Sequence, residues 1–174
     1  MSAAQPLAVS EPFPTHTISL FVNNKPGVLV RVALVFSRRA FNIESLVVSP
    51  GAEGRFSRMT ITCSGPHEVF AQVVKQLAKL VDVVHAIDHT GDESYEVEIA
   101  LIKLECGLAD RTQILQIAEH YRSRVVDYGP ESLILQAYGS SEKLDALIEL
   151  LRPFGLAELV RSGKLLMARG ETVT

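Results

Sequence analysis

From His16 onward the apolar positions switch between a period of two and a period near three and a half. Residues 16–23 (HTISLFVN) put Ile18, Leu20 and Val22 on one side of an extended chain, which predicts a strand ending at Asn24-Lys25-Pro26-Gly27. Val28, Val32, Val35 and Phe36 then recur at helical spacing with Arg31 and Arg38 off the stripe, so a helix is expected over about 26–40. Residues 42–49 (NIESLVVS) predict a second strand, and Pro50-Gly51-Ala52-Glu53-Gly54 supplies a turn. In 57–63, Ser57, Met59, Ile61 and Cys63 alternate with Arg58, Thr60 and Thr62, so this hairpin is expected to keep one face in solvent. Gly65-Pro66 opens a second helix with a stripe of Val69, Val73, Leu77 and Leu80 and with Glu68 in its first turn, and 82–88 closes the unit as a strand.

The order β-α-β-β-α-β then repeats. A polar stretch, His89-Thr90-Gly91-Asp92-Glu93-Ser94, breaks the apolar pattern and predicts a linker over 90–94. A strand over 95–104 leads to Asp110, an N-cap candidate with Gln113 three residues on, and to a helix whose Ile114, Ile117, Ala118 and Tyr121 share a face. Strands are expected near 124–128 and 132–138, a helix from Ser141 with Leu144, Leu147, Ile148 and Leu151 inward, a stop at Pro153 and Gly155, and strands near 156–161 and 164–168. The pattern predicts an α+β chain of two tandem ferredoxin-like (βαββαβ) domains at 16–89 and 95–169, with tails at 1–15 and 170–174. Units this small bury a modest share of their surface and leave sheet edges open, so pairing between copies is expected.

Composition narrows the function classes. The 174 residues carry 17 Lys+Arg against 20 Asp+Glu, which speaks against a nucleic-acid binder, and neither half differs: 8 against 6 through residue 90, and 9 against 14 beyond. Residues 1–15 hold no Lys or Arg and are broken by Pro6, Pro12 and Pro14, so no secretory signal is read there. No apolar run approaches the ~20 residues of a membrane span. Cys63 and Cys106 form no CxxC pair and read as reduced core residues of a cytoplasmic protein.

Catalytic patterns fail in turn. His85 and His89 have the i, i+4 spacing of a metal pair, but that spacing aligns side chains only on a helix and this segment reads as strand and linker. There is no GxSxG, no P-loop and no GxGxxG after the first strand. The informative stretch is Asn24-Lys25-Pro26-Gly27-Val28-Leu29, where a strand meets a helix whose first N–H groups lack partners and favour a carboxylate. Gly27 lets backbone approach a ligand, and Asn24 can either cap the helix or offer its oxygen to an ammonium group. On these residues alone a plain capped helix start with Pro in its first turn fits as well.

HTISLFVNNKPGVLVRVALVFSRRAFNIESL resembles an ACT domain, a small-molecule-sensing module of this strand and helix order. NKPGVLVRV, FSRRAFNIESLVVSP, SRMTI and KQLAKLVDVV, continued by EIALIKL, VVDYGPESL, GSSEKLDALIELLRPFG and RSGKLLMARG, are similar to the small regulatory subunits of acetolactate synthase (acetohydroxyacid synthase) over nearly all of the chain after the first 15 residues. The resemblance implies a noncatalytic homodimer that activates a large catalytic subunit and confers feedback inhibition by valine bound between two ACT domains. It places Asn24, Lys25, Pro26, Gly27, Val28 and Leu29 of one copy and Asn42 and Ile43 of the other at the valine. Thiamine diphosphate, Mg and FAD would belong to the catalytic subunit and none to this chain. The strand around Arg58, Met59 and Thr60 is the expected contact with that subunit, and the second domain, whose Cys106-Gly107-Leu108 lacks the Asn-x-Pro-Gly arrangement, is expected to dimerise or dock. The competing reading is a free-standing ACT-type sensor acting on transcription or on another protein.

Overall fold

The computed structural model describes residues 14–171 and 174. Alternating apolar residues form β1 (Thr15–Asn23), β2 (Asn42–Pro50), β3 (Phe56–Ser64) and β4 (Val83–Asp88), which pair antiparallel in the order β2-β3-β1-β4. Helices α1 (Val28–Ser37) and α2 (His67–Leu77) cover one face. The expected α1 stripe of Val28, Val32, Val35 and Phe36 is buried against Ile18, Leu20, Val22, Met59 and Ile61. On α2 the centre of the stripe is Phe70, which the periodicity left out; Val69 and Leu80 sit at its margin. Each large side chain in this layer contributes ~1.5–3 kcal/mol by leaving water.

The second unit repeats the plan. β5 (Tyr95–Glu105), β6 (Arg124–Tyr128), β7 (Ser132–Gly139) and β8 (Leu156–Arg161) lie in the order β6-β7-β5-β8, with α3 (Leu108–His120) and α4 (Ser141–Leu151) over a core of Ile102, Leu104, Ile114, Leu133, Leu135 and Leu147. A short β9 (Leu165–Met167) pairs with the start of β5, Tyr95 opposite Met167 and Val97 opposite Leu165. The two halves thus share the antiparallel α+β architecture that the pattern predicts.

Three expectations are corrected. Asp110 does not cap α3: the helix starts at Leu108 after Gly107, and Asp110 lies in the first turn, where the helix dipole favours its charge. The outer face of the β2–β3 hairpin is not solvated throughout, since Thr60 and Thr62 are each only 6% exposed. The β5–β9 ribbon and the turn before it lie across this face, with Gly163 against Ser45 and Val47 and the Lys164 ammonium 3.4 Å from Thr17 Oγ1. Periodicity registers only which positions are apolar, and threonine reads as a surface residue whether or not another unit covers it. The expected tails at 1–15 and 170–174 fall largely outside the described residues; Thr15 opens β1, and Thr174 is buried with its hydroxyl accepting from the Ala168 N–H.

Both cysteines are free and buried. Burial first, then the nearby Glu44 and Asp88 charges, push the Cys63 thiol up to about 12. Because the folded chain holds this proton more tightly than the unfolded chain, the associated stability is complete below the unfolded thiol's pKa and falls as pH rises toward 12, by about 1.4 kcal/mol per pH unit at most. Native protein at pH 8 is therefore expected to leave Cys63 unmodified by a thiol reagent that labels it fully in denaturant. The alkaline loss of stability should shrink in Cys63→Ala, as pH-dependent denaturant melts would show.

Candidate functional site

The loop after β1 is built by its own hydrogen bonds. Asn23 N–H donates to Asp82 O at 2.8 Å, Asn24 N–H to Arg55 O at 2.9 Å and Lys25 N–H to Asn23 O at 3.0 Å, which turns the chain sharply ahead of Pro26. Gly27 follows with φ +84° and ψ −10°, a left-handed conformation that costs an ordinary residue energy and glycine little. Val28 is buried and anchors the helix start in the core. The helix begins at Val28 rather than at Pro26, and its first intrahelical bond runs from Arg31 N–H to Gly27 O at 3.2 Å.

Asn24 does not cap α1. Its Nδ2 donates to Gly54 O at 2.9 Å, tying the loop to the β2–β3 turn and leaving the amide oxygen available. Among the described residues the N–H groups of Gly27, Leu29 and Val30 have no protein partner, whereas Val28 N–H is already engaged with Lys25 O at 3.4 Å. The free donors of the cradle are thus Gly27, Leu29 and Val30. Unpaired N–H groups at a positive helix end favour an anionic group there.

A brace stands behind the cradle. The Arg31 guanidinium meets the buried Asp82 carboxylate at 2.5 Å, linking the first turn of α1 to the entry of β4. Neither residue belongs to the site read from the sequence; an arginine off the apolar stripe and an aspartate before a strand carry no joint signal until the fold brings them together.

Asn42 and Ile43 lie elsewhere. Asn42 opens β2 opposite Ser64, while the loop adjoins Phe56 at the other end of β3, so the length of a strand, about 26 Å, separates them within one chain. Asn42 is exposed, and Ile43 lines a shallow hollow with Ala33, Phe36 and Phe41. Of the expected contact trio, Met59 is in the core and Thr60 is buried beneath the second unit; Arg58 alone keeps its side chain partly exposed. Met59 points to the helices because it occupies the inward phase of β3, so it is unavailable to a partner.

The corresponding helix start of the second unit also has free first N–H groups among the described residues but lacks the left-handed glycine turn. Gly107 is extended there, and Arg111, the fourth residue of α3 as Arg31 is of α1, turns under the loop. It donates to Gly129 O at 2.6 Å and to Pro130 O, with its guanidinium 4.6 Å from the Tyr128 ring centre. His85 and His89 diverge: His85 stacks on Phe21, and the buried His89 Nε2 lies 2.8 Å from Ser19 Oγ.

Comparison with known proteins follows this division. The family described as "AHAS small subunit-like ACT domain" matches residues 18–85, and that described as "Small subunit of acetolactate synthase" matches 97–170. The chain is 44% identical to the acetolactate synthase small subunit of Mycobacterium leprae over 90% of its own length and 93% of that protein's. It is 43% identical to the probable acetolactate synthase small subunit of Archaeoglobus fulgidus over 89% and 97%. The crystal structure of the small subunit from Thermotoga maritima superposes with a TM-score of 0.80 at 34% identity, covering 91% of this chain and 99% of that one. With two halves matched in order and relatives aligned nearly end to end, the chain belongs to the acetolactate synthase small-subunit family.

Proposed function

We propose that this chain is the regulatory subunit of an acetolactate synthase, and that two copies bind valine between their ACT domains, activate a catalytic partner subunit and make it subject to feedback inhibition. The catalytic chemistry, with its thiamine diphosphate, Mg and FAD, is assigned to the partner. One observation carries the reading: the cradle, tied by Asn24 to the β2–β3 turn, and the Asn42–Ile43 strand start sit at opposite ends of one sheet, whose β2 edge is unpaired among the described residues.

Antiparallel pairing of two β2 edges about a two-fold axis sets the start of one strand beside the end of the other, and so sets one copy's Asn42 near the other's cradle. The outward side of α1 supports the same pairing. Leu29, Val30 and Leu34 are 43, 61 and 45% exposed on that helix, an apolar stripe that such pairing would cover. In the joined site the free N–H groups take the α-carboxylate, the Asn24 and Asn42 amides provide polar contacts to the amino acid, and Ile43 lines the side-chain pocket.

The test mixes the full chain with a catalytic subunit from the same source and measures acetolactate formation. Added chain should raise the rate and valine should lower it again; a rate indifferent to the chain overturns the reading. Asn42→Ala should raise the valine concentration needed for half inhibition roughly tenfold, the worth of one hydrogen bond to a charged group, and leave activation intact.

A further inference from the structure

The outer face of the first sheet and the β5–β9 ribbon do not close completely. Between them lies a cavity of about 410 Å³, floored by Val47 and Thr60 and walled by Tyr95, Val97, Leu165 and Met167, with Arg58 at its mouth. No Asp or Glu lines it. The Arg58 guanidinium rests 5.8 Å from the Phe21 ring centre, and among the described residues no carboxylate lies within ion-pair reach of it. Of the other cations of this seam, Lys164 meets Glu96 at 2.8 Å, Arg161 is held by Glu98 and Asp145, and the Arg169 guanidinium lies 5.9 Å from the Tyr95 ring centre.

We infer that this cavity is a second ligand site, distinct from the cradle at Gly27, for a small aliphatic carboxylate whose chain enters between the two units and whose acid group meets Arg58. Each part of the chemistry has its place. A mostly apolar lining without an acid favours a hydrocarbon body, and an unpaired guanidinium supplies the charged contact that orients it. A zwitterionic amino acid is disfavoured, because no carboxylate in the wall pairs with its ammonium group. The walls come from both halves of the chain, so an occupant also ties the ribbon to the sheet that carries the cradle.

The experiment titrates the full-length protein with hexanoate and with hexanol by calorimetry, and follows methyl resonances of Val47, Val97, Leu165 and Met167. Hexanoate is expected to bind saturably, at least tenfold more tightly than hexanol, and to move those four signals. Arg58→Met should erase the preference for the acid. Val97→Phe, which fills the cavity without touching Arg58, should weaken both probes at least tenfold while circular dichroism stays unchanged. Valine should not displace hexanoate, and Gly27→Asp should not weaken it. The inference is overturned if hexanoate fails to bind, if Arg58→Met leaves its advantage over hexanol intact, if valine displaces it, or if the groove proves closed by a bound catalytic subunit instead, with Arg58→Met weakening subunit association alone.

Discussion

A chain carrying Gly27→Asp is expected to fold, to activate its catalytic partner as the parent does, and to be blind to valine. Gly27 precedes the first residue of α1, so an aspartate there sets its carboxylate beside the N–H groups of Leu29 and Val30, which have no other partner among the described residues. The substituted side chain therefore occupies the donors that the effector's carboxylate would use and adds a like charge beside it. The backbone cost is about 1 kcal/mol. Aspartate tolerates φ near +84° better than most residues, and the atom nearest its Cβ would be Arg31 Nη1 at 3.3 Å, the end of a flexible, oppositely charged side chain. Loss of the N–H contacts together with repulsion should raise the half-inhibitory valine concentration by roughly a hundredfold or more, about 3 kcal/mol. Gly27→Ala bears the same backbone strain without the charge, so inhibition by valine should survive in it. Equal valine responses in Gly27→Asp and in the parent would remove the cradle from the proposed site.

Much of this arrangement is legible along the chain, and the parts that are not have physical reasons. The two strand and helix units and the inward face of α1 follow from periodicity, because a half-buried helix must keep its apolar residues on one stripe. The loop at Asn24–Gly27 stands out because Asn, Pro and Gly at a strand-to-helix junction restrict the backbone in ways that few turns satisfy. Hidden from the pattern are contacts that depend on distance in space rather than in sequence. Arg31 and Asp82 are 51 residues apart, and Thr60 and Thr62 read as surface until the β5–β9 ribbon is laid over them. That Val28 is not among the free donors turns on a single hydrogen bond from its N–H to Lys25 O, across the left-handed turn at Gly27. The polar and apolar halves of the seam, Lys164 with Glu96 on one side and the Arg58 cavity on the other, belong to no single element.

Gly155→Val is expected to be the most destabilising single substitution outside the packed cores, costing about 3–5 kcal/mol in denaturant melts that follow the second unit. Gly155 ends the 3₁₀ turn Arg152–Phe154 with φ +80° and ψ 55°, a left-handed turn that redirects the chain from α4 into β8. A β-branched residue there strains the backbone by ~1–3 kcal/mol. The turn also sits against β5: Glu105 N–H donates to Gly155 O at 2.8 Å, and a Cβ on residue 155 would fall 2.4 Å from Glu105 O, a backbone atom that no side-chain movement can relieve. Opening that approach breaks the bond joining the end of β5 to the start of β8 and adds an overpacking cost of ~1–3 kcal/mol. Gly91 separates the two contributions, because its φ is +85° but nothing lies within 4 Å of the place its Cβ would occupy. Gly91→Ala should lose only the conformational part, about 1 kcal/mol. Gly155→Ala should lose some 2 kcal/mol more, and equal losses would show that the approach to Glu105 imposes no constraint. If instead the close approach governs, Gly155→Ala should also speed exchange of the Glu105 amide, because that hydrogen bond must lengthen before the methyl group fits.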